Sequence, residues 1–210
     1  MPVAASTSEK SIASDPAQAL AEAIREPDLD VRRKRIMSVL REWAASDPDA
    51  AARAAMTWPG GDRVEPVAAV LAGVAGRPDD AVRLGIFFCR EDPAWAPEHG
   101  RALIGALADA GNFSAAVSFA LVGGVEIDGE ERNKWLVTAF SGWAKREPQL
   151  AVLAATSDLP ESGMQQEALI AVVSHWRRLN PQGPEKFLAQ LPAGRERTAL
   201  ANALAATGGH

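Results

Sequence analysis

Four consecutive basic residues, Arg32, Arg33, Lys34 and Arg35, form a compact charge run. Cations at a helix start oppose its macrodipole, so chemistry is one reason to place them there. A phosphate, an acidic peptide or RNA would meet several donors at once. Glu26, Asp28 and Asp30 just upstream support the other reading, a solvated face with local ion partners. That second reading is the expectation. Three further arginines, Arg63, Arg132 and Arg197, recur near the start of a second helix. They would either align as a ladder on one face or hydrogen-bond the last carbonyls of a preceding helix, and the latter is expected. The candidate binding residues are therefore Arg32, Arg33, Arg35, Arg63 and Arg132.

Other chemistry-bearing groups are sparse. Cys89, Asp92, Glu98 and His99 lie close in sequence, but their spacing matches no ligand pattern and the stretch holds two prolines. Glu126, Asp128, Glu130 and Glu131 lack the alternating oxygens of a calcium loop, and acids leading into a helix favour its dipole. His175 precedes a tryptophan on a helix, where an exposed or core histidine is the ordinary explanation. No GxSxG, HExxH, GxxxxGK or GxGxxG motif is present. The expectation is no catalytic residue, no metal and no cofactor.

Composition narrows the partner classes. The net charge of −5 argues against a general nucleic-acid binder and against a polybasic membrane anchor. Cys89 is the sole cysteine, which excludes an intrachain disulfide and a zinc site with two thiolates. No apolar run reaches membrane-spanning length, and the first residues lack an apolar signal core, so a cytoplasmic protein is expected. Abundant alanine and the absence of tyrosine lean towards helix.

The elements that would position these groups repeat. Three segments read IMSVLREWAASDPDAA, LVTAFSGWAKREPQLA and LIAVVSHWRRLNPQGP. In each, a tryptophan (Trp43, Trp143, Trp176) stands five positions before a proline (Pro48, Pro148, Pro181). Apolar residues precede it at helical spacing: Ile36, Val39, Leu40; Leu136, Ala139, Phe140; Leu169, Val172, Val173. Val67, Val70, Leu71, Val74 and Gly100, Leu103, Ile104, Leu107 are weaker copies. The proline suits a first helical position, and Asp15, Asp47 and Asn180 before it are capping types. Trp58–Pro59, Leu159–Pro160 and Leu191–Pro192 mark the turn inside each helix pair. The first pair is expected near 15–25 and 31–45, the last at 182–191 and 195–206. The stretches 91–99 and 123–130 read as longer loops. Trp43, Trp143 and Trp176 are expected to be buried between layers, with Trp58 and Trp95 outside the stripe.

The expected fold is all-α: an α-solenoid, or α-α superhelix, of about six helical hairpins with a period of roughly 30–35 residues. Residues 14–207 form one helical-repeat domain, and residues 1–13 a flexible N-terminal tail. The final helix places Leu200 and Leu204 inward and Arg195, Glu196, Arg197 and Asn202 outward, as a cap requires.

The Asp–Pro junction, the alanines on either side and the period resemble the tetratricopeptide superfamily over residues 14–206. The family's first-helix glycine and tyrosine are missing. The Trp-Ala-x-x-Asp-Pro-x-Ala-Ala wording is also similar to tandem repeats of uncharacterised bacterial proteins. The resemblance implies a non-catalytic scaffold binding a protein or peptide partner on a solenoid face. The alternative is a helical-repeat enzyme or nucleic-acid-processing protein with a groove site. A groove of apolar and uncharged side chains would favour peptide, and a continuous arginine groove with a carboxylate at its floor nucleic acid.

Overall fold

Proline and aspartate set the helix boundaries. Asp15 accepts from the Ala17 amide, Asp28 from those of Asp30 and Val31, and Asp47 from that of Ala50. Each bond satisfies a donor the helix cannot, and is worth about 1 kcal/mol. The computed structural model describes residues 15–58, 63–122, 129–160 and 162–208. The tail at 1–13 and most of the 123–130 stretch, including Glu126 and Asp128, lie outside the described residues.

Twelve α-helices occur among the described residues: α1 (Pro16–Ile24), α2 (Leu29–Ser46), α3 (Pro48–Met56), α4 (Val64–Val74), α5 (Pro78–Glu91), α6 (Ala96–Asp109), α7 (Phe113–Val122), α8 (Gly129–Ala144), α9 (Pro148–Asp158), α10 (Gly163–Leu179), α11 (Gly183–Gln190) and α12 (Arg195–Thr207). A 3-10 turn, Pro93–Trp95, leads into α6. Among the described residues 84% are helical and none is in a strand, so the chain is all-α.

The even-numbered helices pack side by side in chain order, α2 on α4, α4 on α6, and so on to α12. Each odd-numbered helix from α3 to α11 packs against the two even-numbered helices that flank it in sequence. The apolar stripes supply these contacts: those of α4, α6, α8 and α10 are buried throughout. Leu200 and Leu204 of α12 also face inward.

Three expectations need correction. Trp143 and Trp176 are buried, but Trp43 and Val39 are only partly covered. The reason is position: α2 is the first even-numbered helix, and among the described residues no earlier one closes over it. Pro181 does not open a helix. It lies in a turn closed by the Gly183 amide on the Asn180 carbonyl, and Pro184 takes the early helical position instead. Gly183 lies against the Trp176 indole, where a Cβ would collide. Finally, 91–99 is not a peripheral loop. Ala96 onward is helical, and Asp92, Ala96 and His99 are buried.

Candidate functional site

The basic run lies in the first turns of α2, and part of it is spent locally. Arg33 is paired with Glu65 of α4, and Arg35 with Glu26 at 2.9 Å. Glu26 is one of the three upstream acids, while Glu65 lies a helix away. The open groove beside Arg33, about 380 Å³, is lined by Lys34, Met37, Ser38, Arg41 and Asp30. Arg32 is half-buried and outside that lining.

The three recurring arginines do not act alike. Arg197 donates to the Leu191 carbonyl at the end of α11, at 2.8 Å. Arg63, at the N-cap of α4, is ion-paired with Asp92 at 3.6 Å. Arg132 is half-buried in the first turn of α8, beside Glu131. A repeated carbonyl tie does exist, carried by other residues. Arg77 donates to the Ala44 carbonyl at 2.9 Å, Asn112 to that of Ala75 at 2.6 Å, and Arg146 to that of Asp109 at 2.8 Å. Each runs from the turn after one even-numbered helix to the end of the preceding even-numbered helix. Two of the three had a legible signal: Arg77 follows Val74, and Arg146 follows Trp143, by three residues.

Cys89, Asp92 and His99 come together at the corner between α5 and α6. His99 is fully buried, and neither ring nitrogen has a hydrogen-bond partner among the described residues. Its Nε2 is 3.5 Å from Asp92 Oδ2, the same oxygen that faces Arg63. Burial lowers the His99 pKa; the Asp92 carboxylate opposes this and Arg63 adds to it. The Cys89 thiol donates to the Ala96 carbonyl at 3.6 Å, and burial pushes its pKa up to about 12, far from a nucleophile's range. Glu98 does not join this group and is held by Arg101 at 2.6 Å. No cluster of three or more metal-ligating side chains occurs among the described residues.

Two further grooves open between even-numbered helices. Between α6 and α8, small residues line a groove of about 360 Å³: Gly105, Ala108, Ser141 and Gly142, with Lys145 at its end. Between α10 and α12 the groove is about 420 Å³. Leu169 and Ala199 supply its apolar part, and Ser162, Gln166, Thr198 and Asn202 its uncharged polar rim. Gln165 is fixed from behind, its amide donating to the Ala155 and Leu159 carbonyls at the end of α9. Arg195 donates to the same Leu159 carbonyl at 3.2 Å. Gln166 and Asn202 are exposed and make no side-chain hydrogen bond among the described residues. Among the described residues, no acidic side chain lines this groove.

A carboxamide presents one acceptor and a pair of donors, the complement of a peptide bond. Gln166 on α10 and Asn202 on α12 place two of them on opposite walls of one groove. Sequence reasoning passed over both, because an exposed amide on a helix carries no periodic signal. The pairing arises only when residues 36 positions apart become neighbours. No described helix is long and apolar enough to cross a membrane. Comparison with protein-family models, with curated proteins and with solved structures finds no match to this chain.

Proposed function

We propose that this chain is an α-solenoid of six helical hairpins serving as a non-catalytic cytoplasmic scaffold, and that it binds an extended peptide segment of a protein partner between α10 and α12. The observation that carries the reading is the lining of that groove: an apolar floor, two opposed unspent carboxamides, two hydroxyls and Arg195, with no carboxylate among the described residues. Such a surface satisfies a peptide backbone and buries one or two of its side chains. The side-by-side packing of even-numbered helices supports the solenoid, since hairpins unable to bury their stripes alone must stack on neighbours. Among the described residues, several cations are committed elsewhere, which counts against a track for a phosphate backbone. Arg33 is neutralised by Glu65, and Arg77 and Arg146 are committed to carbonyls.

The test is selection of peptides from a displayed random library on the intact chain, followed by anisotropy titrations. Replacing both Gln166 and Asn202 by alanine removes up to two hydrogen bonds and should weaken selected peptides about tenfold. Equal affinity for the double variant would remove the groove from the proposal. A library that yields no binder, set beside tight and steeply salt-dependent binding of single-stranded RNA, would overturn the scaffold reading.

A further inference from the structure

We infer that His99 is an acid-operated latch: a proton gained there opens the corner between α5 and α6 and exposes Cys89. The geometry leaves an imidazolium no comfortable place in the closed corner. His99 is 0% exposed, and neither ring nitrogen meets an acceptor at hydrogen-bonding geometry among the described residues. Its one nearby carboxylate oxygen, on Asp92, already faces the Arg63 guanidinium, at 3.6 Å. A buried cation would thus share a single acid with a second cation. In an opened corner, water would solvate both nitrogens.

Beyond Asp92, the compensating charge among the described residues is that of Glu98, which favours the protonated ring less than burial opposes it. The start of α4 brings Arg63, and the end of α5 brings Cys89 as a neutral thiol, with Asp92 just beyond. On α6 itself, Glu98 is engaged by Arg101. From α8, Glu131 is held by Arg101 at 2.8 Å and by Lys134 at 3.6 Å. The Phe88 ring, 6.1 Å from the imidazole between centroids, offers no acceptor of comparable strength.

The sign follows from these contacts. Burial, the largest cause, holds the His99 pKa in the closed corner below its ordinary 6.5. In an open, hydrated corner it returns towards that value. The open form therefore binds the proton more tightly. Closure is fully favoured above about pH 6.5 and weakens as pH falls from there towards the closed-state pKa.

Cys89 reports on this corner alone. It is the only cysteine in the chain, it is buried, and its thiol spans from α5 to the Ala96 carbonyl at the start of α6. The experiment is labelling of the intact chain with 4,4′-dithiodipyridine from about pH 7.5 to about pH 5. Each rate is divided by that of the urea-unfolded chain at the same pH, which removes the thiol's own titration. The expected result is a normalised rate that rises several-fold on acidification. His99→Gln and His99→Leu, both without a titrating group, should each give a flat profile; either one that folds by circular dichroism serves. His175→Gln should keep the rise, although burial, Arg178 and Lys145 also lower the His175 pKa. A flat profile in the unaltered chain overturns the latch, as does an equal rise in a folded His99 variant.

Discussion

Adjacent residues of α6 face two different environments. Gly100 faces α8, where it leaves room for the indole of Trp135; a Cβ at this position would lie inside that ring. Trp135 is fully buried and stacks on Phe119 of α7, with centroids 5.3 Å apart. One residue earlier, His99 faces the α4 and α5 side, equally buried, and meets an ion pair it cannot properly join. The first side is solved by shape: a missing side chain on one helix admits the largest side chain on another. The second is left polar and under-satisfied, so the same stretch of α6 is firm on one side and poised on the other.

The largest effect should come from emptying the firm side. Trp135→Ala removes a fully buried indole from a site walled by Gly100 and Phe119, and should cost about 3–5 kcal/mol in urea unfolding. It should exceed Trp143→Ala, whose indole also stacks on Phe113 but lies nearer the surface and donates to Glu147. Trp176→Ala should cost less again, since its neighbour α11 is a single short helix. If Trp143→Ala proves the most damaging, the position shared by the three repeat tryptophans, rather than the Gly100 seat, is the centre of the core.

Gly100→Ala tests the same seat from the opposite side and should cost about 1–3 kcal/mol, because added volume in a filled core forces its neighbours to shift. An alanine normally stabilises a helix interior relative to glycine, so a loss here isolates the clash with Trp135. A neutral or stabilising outcome would mean that the indole moves freely, and the contrast between the two sides of α6 would lose its basis.

These sites differ in how much of them could be read beforehand. The stripe at Leu136, Ala139, Phe140 and Trp143 was legible because helical periodicity depends only on local spacing. Trp135 was not. It stands eight residues before Trp143, where the other repeats carry Arg35 and Ala168, so no repetition marks it. The corner at 91–99 was misread for a different reason. Pro93 and Pro97 look like loop residues, yet proline also fits a 3-10 turn and the first turn of a helix. The burial of His99 depends on α4, some 35 residues upstream, and no local signal reports it. The paired amides of Gln166 and Asn202 were hidden in the same way. What could be read was what each helix does for itself; what could not was what two helices do together.

The smallest effect concerns the ties between successive even-numbered helices. Arg146 donates to the Asp109 carbonyl at the end of α6, and its guanidinium also lies 5.9 Å from the centre of the Phe113 ring. Arg146→Met keeps an unbranched aliphatic stem over the ring and removes the donor. The carbonyl end of α6 remains open to water, since Asp109 and Ala110 are exposed, so no buried group is stranded. The loss should therefore be about 0.5–1.5 kcal/mol, the net value of one hydrogen bond, with part of any cation–π contribution included. Arg77→Met at the earlier tie, between α2 and α4, should cost at least as much, because its acceptor residue Ala44 is buried and its carbonyl is less open to water. Combining the two changes, which lie at different junctions and share no partner, should give a sum of the single losses. A double variant much less stable than that sum would show that the ties act through the whole row of even-numbered helices, and that the firm side of α6 depends on its ends as well as on Trp135.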